Sequence, residues 1–142
     1  MSPSEKQTFH FELVSPEEKL LSEPAFMVVV PGEEGEFGVL ANHSALVSSV
    51  RAGVIEIHGV NDNDDVRRVF VAGGFADVSA DRCVVLAEYA VNVSDLTQDH
   101  IQSELNNLNE DLDMAENDSD KKRVESKIII ATAKMTAVTG EY

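Results

Sequence analysis

The chain has 142 residues and a formal net charge of −15, from 26 acidic and 11 basic side chains. So acidic a surface repels the phosphates of nucleic acids and anionic lipids, which argues against a nucleic-acid reader. Cys83 is the only cysteine, so an internal disulfide and a thiolate metal cluster are both excluded. Because Cys83 lies in an apolar, strand-like run, we expect a small buried side chain there.

The first part of the chain has the patterns of β-strands. Residues 9–14 alternate with a period of two, and an apolar run over residues 25–30 ends at Pro31-Gly32. Further short strands are expected over residues 45–50, 54–59, 66–72, 75–79 and 83–87. Their close spacing, with turn residues between them, predicts a β-sandwich or flattened barrel over residues 1–90.

One acidic segment, Asn61-Asp62-Asn63-Asp64-Asp65, has the look of a calcium loop. It lacks the central glycine and the glutamate at loop position twelve that an EF-hand requires. We therefore interpret it as a solvated hairpin turn.

After residue 90 the period becomes helical. Residues 94–98 offer N-cap candidates, and Gln98 follows Asp95 by three residues, as in a capping box. Two apolar stripes with 4-3-4-3 spacing come next, separated by a polar break at residues 117–120: Ile101, Leu105, Leu108, Leu112 and Ala115, then Val124, Ile128, Ala131, Met135 and Val138. These stripes predict an antiparallel two-helix hairpin over residues 91–142, and with the sandwich an α+β fold.

The two predicted helices carry opposite charge. Residues 95–116 hold seven acids and no Lys or Arg, whereas residues 120–138 hold five bases and two acids. Their edges should attract when the helices run antiparallel, although each exposed pair contributes only about 0–1 kcal/mol. Ile129 and Ile130 lie off the seam, where they would pack on the β domain or meet another protein.

The sequence contains no recognisable group of catalytic, metal-binding or cofactor-binding residues. The four histidines lack metal-ligand spacing, and neither a nucleophile elbow nor a Walker loop occurs. The loop of Gly32, Gly35 and Gly38 is a poor phosphate cradle because it carries three glutamates and no base. We expect no catalytic residue, no metal and no cofactor.

One stretch supplies a family resemblance. It runs Val30-Pro31-Gly32-Glu33-Glu34-Gly35-Glu36-Phe37-Gly38, is followed by His43, and is matched downstream by Val71-Ala72-Gly73-Gly74-Phe75. This pattern of a glycine-rich turn, a histidine and a Gly-Gly hairpin resembles the epsilon subunits of F-type ATP synthases. The resemblance covers nearly the whole chain, in order.

The resemblance implies a non-catalytic rotor subunit in the central stalk of a proton-translocating synthase. Its partners would be the gamma subunit and the c-ring, with the alpha and beta subunits within reach of the hairpin. Since the polar first ten residues do not look like a signal peptide, we expect a peripheral position on the cytoplasmic face of a bacterial inner membrane.

The resemblance also nominates site residues. Glu36, Phe37 and His43 become candidates for the c-ring or gamma interface, with Glu36 placed to meet an arginine of the ring. Without the resemblance, Glu36 is a solvated acid and His43 a partly buried, hydrogen-bonded residue. Five glycines are expected to shape the loops: Gly32, Gly35, Gly38, Gly73 and Gly74.

Some members of the family bind ATP through an [Ile/Leu]-Asp-x-x-Arg-Ala motif and use the hairpin as a brake on hydrolysis. In this chain Thr97 stands in place of the Asp, His100 replaces the Arg, and Ile101 replaces the Ala. An imidazole cannot substitute for a guanidinium fork on phosphate, so ATP binding is not expected. The acidic first helix further favours a weak or absent brake.

Two alternatives belong to other functional classes. One is a cytoplasmic β-sandwich interaction module unrelated to the synthase, whose hairpin mediates oligomerisation. The other is a small β-barrel hydrolase that uses Asp77 or Asp81 with His43. Specific binding to gamma would separate the first alternative from the synthase subunit, and activity without any partner would favour the second.

Overall fold

The computed structural model describes residues 7–60 and 66–140; the acidic segment 61–65, interpreted above as a turn, lies outside them. Contacts divide the chain after Ala90 into two compact units. Within its described residues the sandwich unit has eight strands: β1 Phe9–Val14, β2 Lys19–Ala25, β3 Met27–Gly32, β4 Gly35–Leu40, β5 Leu46–Ser49, β6 Gly53–His58, β7 Arg67–Val78 and β8 Arg82–Asn92. The hairpin unit has a 3₁₀ turn, Val93–Asp95, and helices α1 Gln98–Met114 and α2 Asp118–Thr139.

The strands follow the order β2-β1-β8-β7-β6-β3-β4, and β5 also pairs with β7. Residues 67–71 of β7 pair with β6, whereas residues 75–78 pair with β5. One strand therefore serves both halves of the sandwich. Side chains from the inner faces pack into a core that includes Phe11, Leu13, Val28 and Ile55, all essentially inaccessible to solvent. The α+β prediction of a sandwich followed by a two-helix hairpin is confirmed.

β7 changes partner at Gly73-Gly74. Two strands are expected from the sequence on either side of this pair, and that prediction is wrong, because β7 continues through it as one strand of 12 residues. The φ angles of Gly73 and Gly74 are 75° and 112°, in the region that favours glycine. A Cβ on Gly74 would lie 1.8 Å from the carbonyl oxygen of Leu86. The pair therefore bends the strand where its neighbour β8 approaches most closely.

Two strands, β2 and β4, are absent from the sequence prediction. Both lie at the ends of the strand order, where a ladder tolerates residues that break a strand pattern. β2 contains Pro24, and β4 begins with Gly35 and has Gly38 inside it. The apolar run over residues 25–30 is also divided, since Ala25 ends β2 and β3 starts only at Met27.

The hairpin unit has the middle part of the predicted apolar seam, whereas near the end of α2 Ala137 is buried instead of the predicted Val138. Leu108, Val124 and Ala131 form its buried cluster, with Leu105, Leu112 and Ile128 packed against it. The predicted capping box at Asp95 is wrong. Asp95 ends the 3₁₀ turn, and Thr97 caps α1 by accepting a hydrogen bond from the backbone N–H of His100 at 3.3 Å.

Opposite charges do meet across the two helices. Lys134 Nζ of α2 lies 3.7 Å from Glu104 Oε2 of α1, and the lysine side chain is only 12% exposed. Asn117 caps α2 by accepting from the N–H of Asp120 at 2.8 Å. Ile129, off the seam, is 65% exposed.

A charged cluster joins the first strand of the sandwich to the last. β1 runs parallel to β8, and Glu12 of β1 accepts a hydrogen bond from Arg82 Nη2 of β8 at 2.7 Å. Lys19 Nζ and His10 Nε2 lie 3.5 and 3.1 Å from the same carboxylate oxygen. The Arg82 hydrogen bond is the main cause that lowers the pKa of Glu12 below its ordinary value of 4.5.

Replacing Gly74 by alanine should destabilise the sandwich by about 3 kcal/mol or more, because the new Cβ meets backbone at a positive φ. Urea unfolding measures the loss. Gly38→Ala is the matched control: its Cβ would meet no atom within 4 Å, so the change should stay within about 1 kcal/mol. Equal stability of the two variants would show that β8 does not constrain Gly74.

Glu12→Gln should lower the stability of the chain at pH 7 and lose this effect in acid. The folded pKa of Glu12 lies below the unfolded one, so its contribution is present above pH 4.5 and disappears as the pH falls through the folded value. Thermal unfolding of wild type and variant from pH 7 to pH 3 measures the difference. Glu17→Gln, at an exposed turn position, controls for net charge. A stability difference that grew in acid would contradict this assignment.

Candidate functional site

One edge of the sheet is formed by β4, which among the described residues pairs only with β3. Along β4, Val39 is buried and Phe37 packs against the core, while Glu36, Gly38 and Leu40 are exposed. Alternation along the strand thus turns Glu36 and Leu40 outward on one face. We call Glu36, Leu40 and the following His43 the edge surface.

The edge surface has two polar residues, Glu36 and His43. Glu36 is the second residue of β4, and His43 follows its last residue by three positions. A six-residue strand is about 17–20 Å long, so these side chains lie towards opposite ends of β4. Phe37 contributes to the core cluster rather than to the exposed face.

The loop that carries His43 is anchored to other parts of the sandwich. Asn42, at a φ of 68°, donates its backbone N–H to the carbonyl of Ala80 at 2.6 Å and its side-chain amide to Gln7 Oε1 at 3.0 Å. His43 Nδ1 lies 2.7 Å from the carbonyl oxygen of Ser44, so this nitrogen carries the proton. Asn42 thus fixes the loop, and a local carbonyl orients the half-buried imidazole.

The hydrolase interpretation finds no support in the arrangement of its residues. Asp81 accepts a hydrogen bond from the Ser79 hydroxyl at 3.3 Å, within its own turn. Asp77 lies on β7 opposite Val47. The hydrogen bond of the His43 ring goes to Ser44, so these groups do not form a base–orienter pair.

A second surface, which was not predicted from the sequence, is apolar. Ala76 and Val78 of β7 are buried, so the alternate residues Phe75 and Asp77 point outward. Val47 pairs with Asp77 and is 70% exposed; Phe75 is 50% exposed and Leu86 of the neighbouring β8 is 41% exposed. We call Val47, Phe75 and Leu86 the apolar face.

The sequence did contain a signal for this face. Phe75 has the same strand phase as Asp77, opposite to the apolar pair Ala76 and Val78. A large aromatic residue at an outward strand position is a recognisable mark of a binding surface. It passes unnoticed when the pattern is used only to locate strands.

Three further features concern the reactivity of Cys83, metal binding and membrane-spanning helices. Cys83 is fully buried, as predicted, and burial together with the nearby Asp77 charge raises its pKa to about 12. Such a thiol is a poor nucleophile at neutral pH. Within residues 7–60 and 66–140, no three His, Cys, Asp or Glu side chains are grouped to hold a metal ion. No helix in this described part is long and apolar enough to span a membrane.

The segment compared with the ATP motif begins α1. Thr97 uses its hydroxyl as the helix cap, His100 is exposed in the first turn, and Ile101 is fully buried. Thr97 thus already has a structural role, and Ile101 is withdrawn from solvent. The absence of ATP binding stays a prediction.

The glycines named from the sequence occupy different settings. Gly32 and Gly35 face each other across the β3–β4 turn, and a Cβ on Gly32 would lie 2.8 Å from the Gly35 carbonyl oxygen. Gly38 lies within β4 rather than in a turn. Gly73 and Gly74 form the bend of β7.

Two family models match the chain. A model described as the beta-sandwich domain of the ATP synthase Delta/Epsilon chain matches residues 8–93. Another, described as the C-terminal domain of the ATP synthase epsilon chain, matches residues 97–142. Together they cover most of the chain and both of its structural units.

Individual proteins agree with this match. The chain is 40% identical over 134 residues to the ATP synthase epsilon chain of Rhodospirillum centenum, covering 92% of each chain. It is 44% identical over 133 residues to that of Paramagnetospirillum magneticum, covering 93% of this chain and 98% of the other.

Solved structures share the fold. A chain in the mitochondrial ATP synthase of Euglena gracilis (OSCP/F1/c-ring) aligns with a TM-score of 0.80 at 20% identity, covering 97% of this chain and 84% of that one. A chain in the central stalk/c-ring structure of the Tetrahymena thermophila mitochondrial ATP synthase aligns with a TM-score of 0.64 at 14% identity, covering 94% and 98%.

Proposed function

The chain belongs to the ATP synthase epsilon-chain family, and we propose that it acts as a non-catalytic rotor subunit that binds gamma and the c-ring. The observation that carries this proposal is the match of both family models, in order, over residues 8–93 and 97–142. The similar folds in assemblies described as F1/c-ring and central stalk/c-ring support the choice of partners. An interaction module unrelated to the synthase is thereby excluded.

The apolar face is the best candidate for the contact with gamma. Val47, Phe75 and Leu86 are large, outward and partly solvent-exposed on adjacent strands that are held by ladder pairing. On a chain with a net charge of −15, a stable protein contact needs an apolar centre, because charged surfaces alone give little affinity. A rigid sheet also transmits torque without first having to order itself.

The edge surface is the candidate for the contact with the c-ring. Glu36 is exposed on the outermost strand, where its carboxylate can accept charge-assisted hydrogen bonds from an arginine of the ring. His43 is placed at the other end of the same strand. The edge surface therefore offers a carboxylate within β4 and an imidazole after it, in contrast to the apolar face.

We propose two functional domains, residues 1–90 for coupling and residues 91–142 for regulation. The acidic α1, with no Lys or Arg between residues 95 and 116, supports a weak or absent brake on ATP hydrolysis. We further propose that the chain lies peripherally on the cytoplasmic face of a bacterial inner membrane. Similar epsilon chains come from bacteria such as Rhodospirillum rubrum, and recovery of the chain with inverted membrane vesicles tests this position.

Val47→Asp should weaken binding to purified gamma by about tenfold or more, because it buries a charge in an apolar contact. Titration calorimetry measures the Kd. Leu20→Asp, at an apolar residue of β2 that is 37% exposed, is the matched control and should bind as wild type does. Unchanged affinity of Val47→Asp, with circular dichroism showing a native fold, would remove the apolar face from the gamma interface.

Glu36→Gln should reduce ATP-driven proton pumping by the rebuilt complex by up to about fivefold, the range expected for loss of an exposed charge pair. Glu34→Gln, in the turn before β4, controls for charge and should pump normally. If both variants pump as wild type does, the Glu36 contact with the ring has no role.

A further inference from the structure

A cavity of about 250 Å³ opens beside the bend of β7. Its lining comes from the end of β1 with the following turn, from β7 and from β8, and includes Val14, Pro16, Gly74, Phe75 and Leu86. Gly74 lies in the wall of this cavity, beside the backbone of Leu86. The strand bend that joins the two halves of the sandwich thus also leaves an apolar recess on its surface.

The size of the cavity favours a protein side chain as its occupant. Small-molecule sites typically enclose roughly 300–1,000 Å³ and place a few polar groups so that they converge on the ligand. This cavity is smaller, and most of its lining residues are apolar. It is continuous with the apolar face, since Phe75 and Leu86 belong to both.

Among the described residues that line the cavity, the one charged group is an acid. Glu88 lines the cavity with its carboxylate beside Gly73, and it is exposed. Within the described part of the chain no hydrogen bond or ion pair engages it. The neighbouring base Lys19 is directed to Glu12, at 3.5 Å, while Glu17 and Glu18 add negative charge in the turn after Pro16. The recess is therefore complementary to an apolar side chain that has a cation next to it.

We propose that this cavity receives one apolar side chain of gamma, and that a Lys or Arg beside that side chain pairs with Glu88. The inference rests on the proposed function, because it adds an anchor point to the contact between the apolar face and gamma. The recess supplies the desolvated pocket in which binding energy concentrates. The acid at its rim fixes the register of the two chains.

The test compares four variants of the full chain in binding to purified gamma. Leu86→Ala removes one wall of the recess and should raise the Kd about fivefold to tenfold. Glu88→Gln should raise it about threefold and make it less dependent on salt between low and physiological ionic strength. Leu20→Ala and Glu33→Gln alter an apolar residue and an acid at comparable exposed positions outside the recess, and both should bind as wild type does.

The outcomes separate this inference from the proposed function. If wild type binds gamma but Leu86→Ala and Glu88→Gln bind equally well, the recess is not an anchor and the function stands. If the salt dependence of Glu88→Gln equals that of wild type, Glu88 pairs with no cation of gamma and that part of the inference is wrong. If wild type does not bind gamma at all, both the inference and the proposed function are wrong.

Discussion

β7 belongs to both halves of the sandwich, and this continuity depends on two adjacent glycines. Its first part completes a sheet with β6, and its second part pairs with β5. The change of partner requires a bend at positive φ, with the backbone of Leu86 too close for any side chain on Gly74. The bend keeps Ala76 and Val78 in the core, turns Phe75 outward and leaves a recess beside it. One backbone constraint therefore produces both the packing of the sandwich and its apolar face.

The two surfaces of the sandwich suit a part that transmits motion rather than one that catalyses a reaction. Polar groups that lie near one another are occupied by local partners: Glu12 with Arg82, and His43 with Ser44. Exposed elsewhere are the apolar face on paired strands and the edge surface, which carries the acid Glu36. Contacts of these two kinds bind a partner through buried apolar area and through charge. They suit a subunit placed between gamma and a ring.

The sequence allowed a good prediction of the architecture because its signals are local. The helical seam repeats every three or four residues, and the change of period after residue 90 separates sandwich from hairpin. β2 and β4 were missed because edge strands accept Pro24, Gly35 and Gly38, which are turn signals elsewhere. The sequence could not distinguish a bend within β7 from a hairpin, because a Gly-Gly pair suits both. The difference depends on the close contact of Gly74 with the β8 backbone, which no local pattern shows. The site was predicted less well: Glu36 and His43 came from the family resemblance, while the recess joins β7 and β8 to β1, which is distant from them in sequence.

We propose that the sandwich couples rotation to catalysis without the helical hairpin. The direct measurement is ATP-driven proton pumping, together with ATP hydrolysis, by the parent complex rebuilt with the full chain or with residues 1–92, which end where β8 ends. We expect equal pumping per ATP hydrolysed and no increase in the hydrolysis rate, since the sandwich carries both proposed interfaces. Loss of pumping in an assembled complex that contains a folded sandwich would contradict the account. A sharp rise in hydrolysis would show that the hairpin is an effective brake despite its acidic first helix.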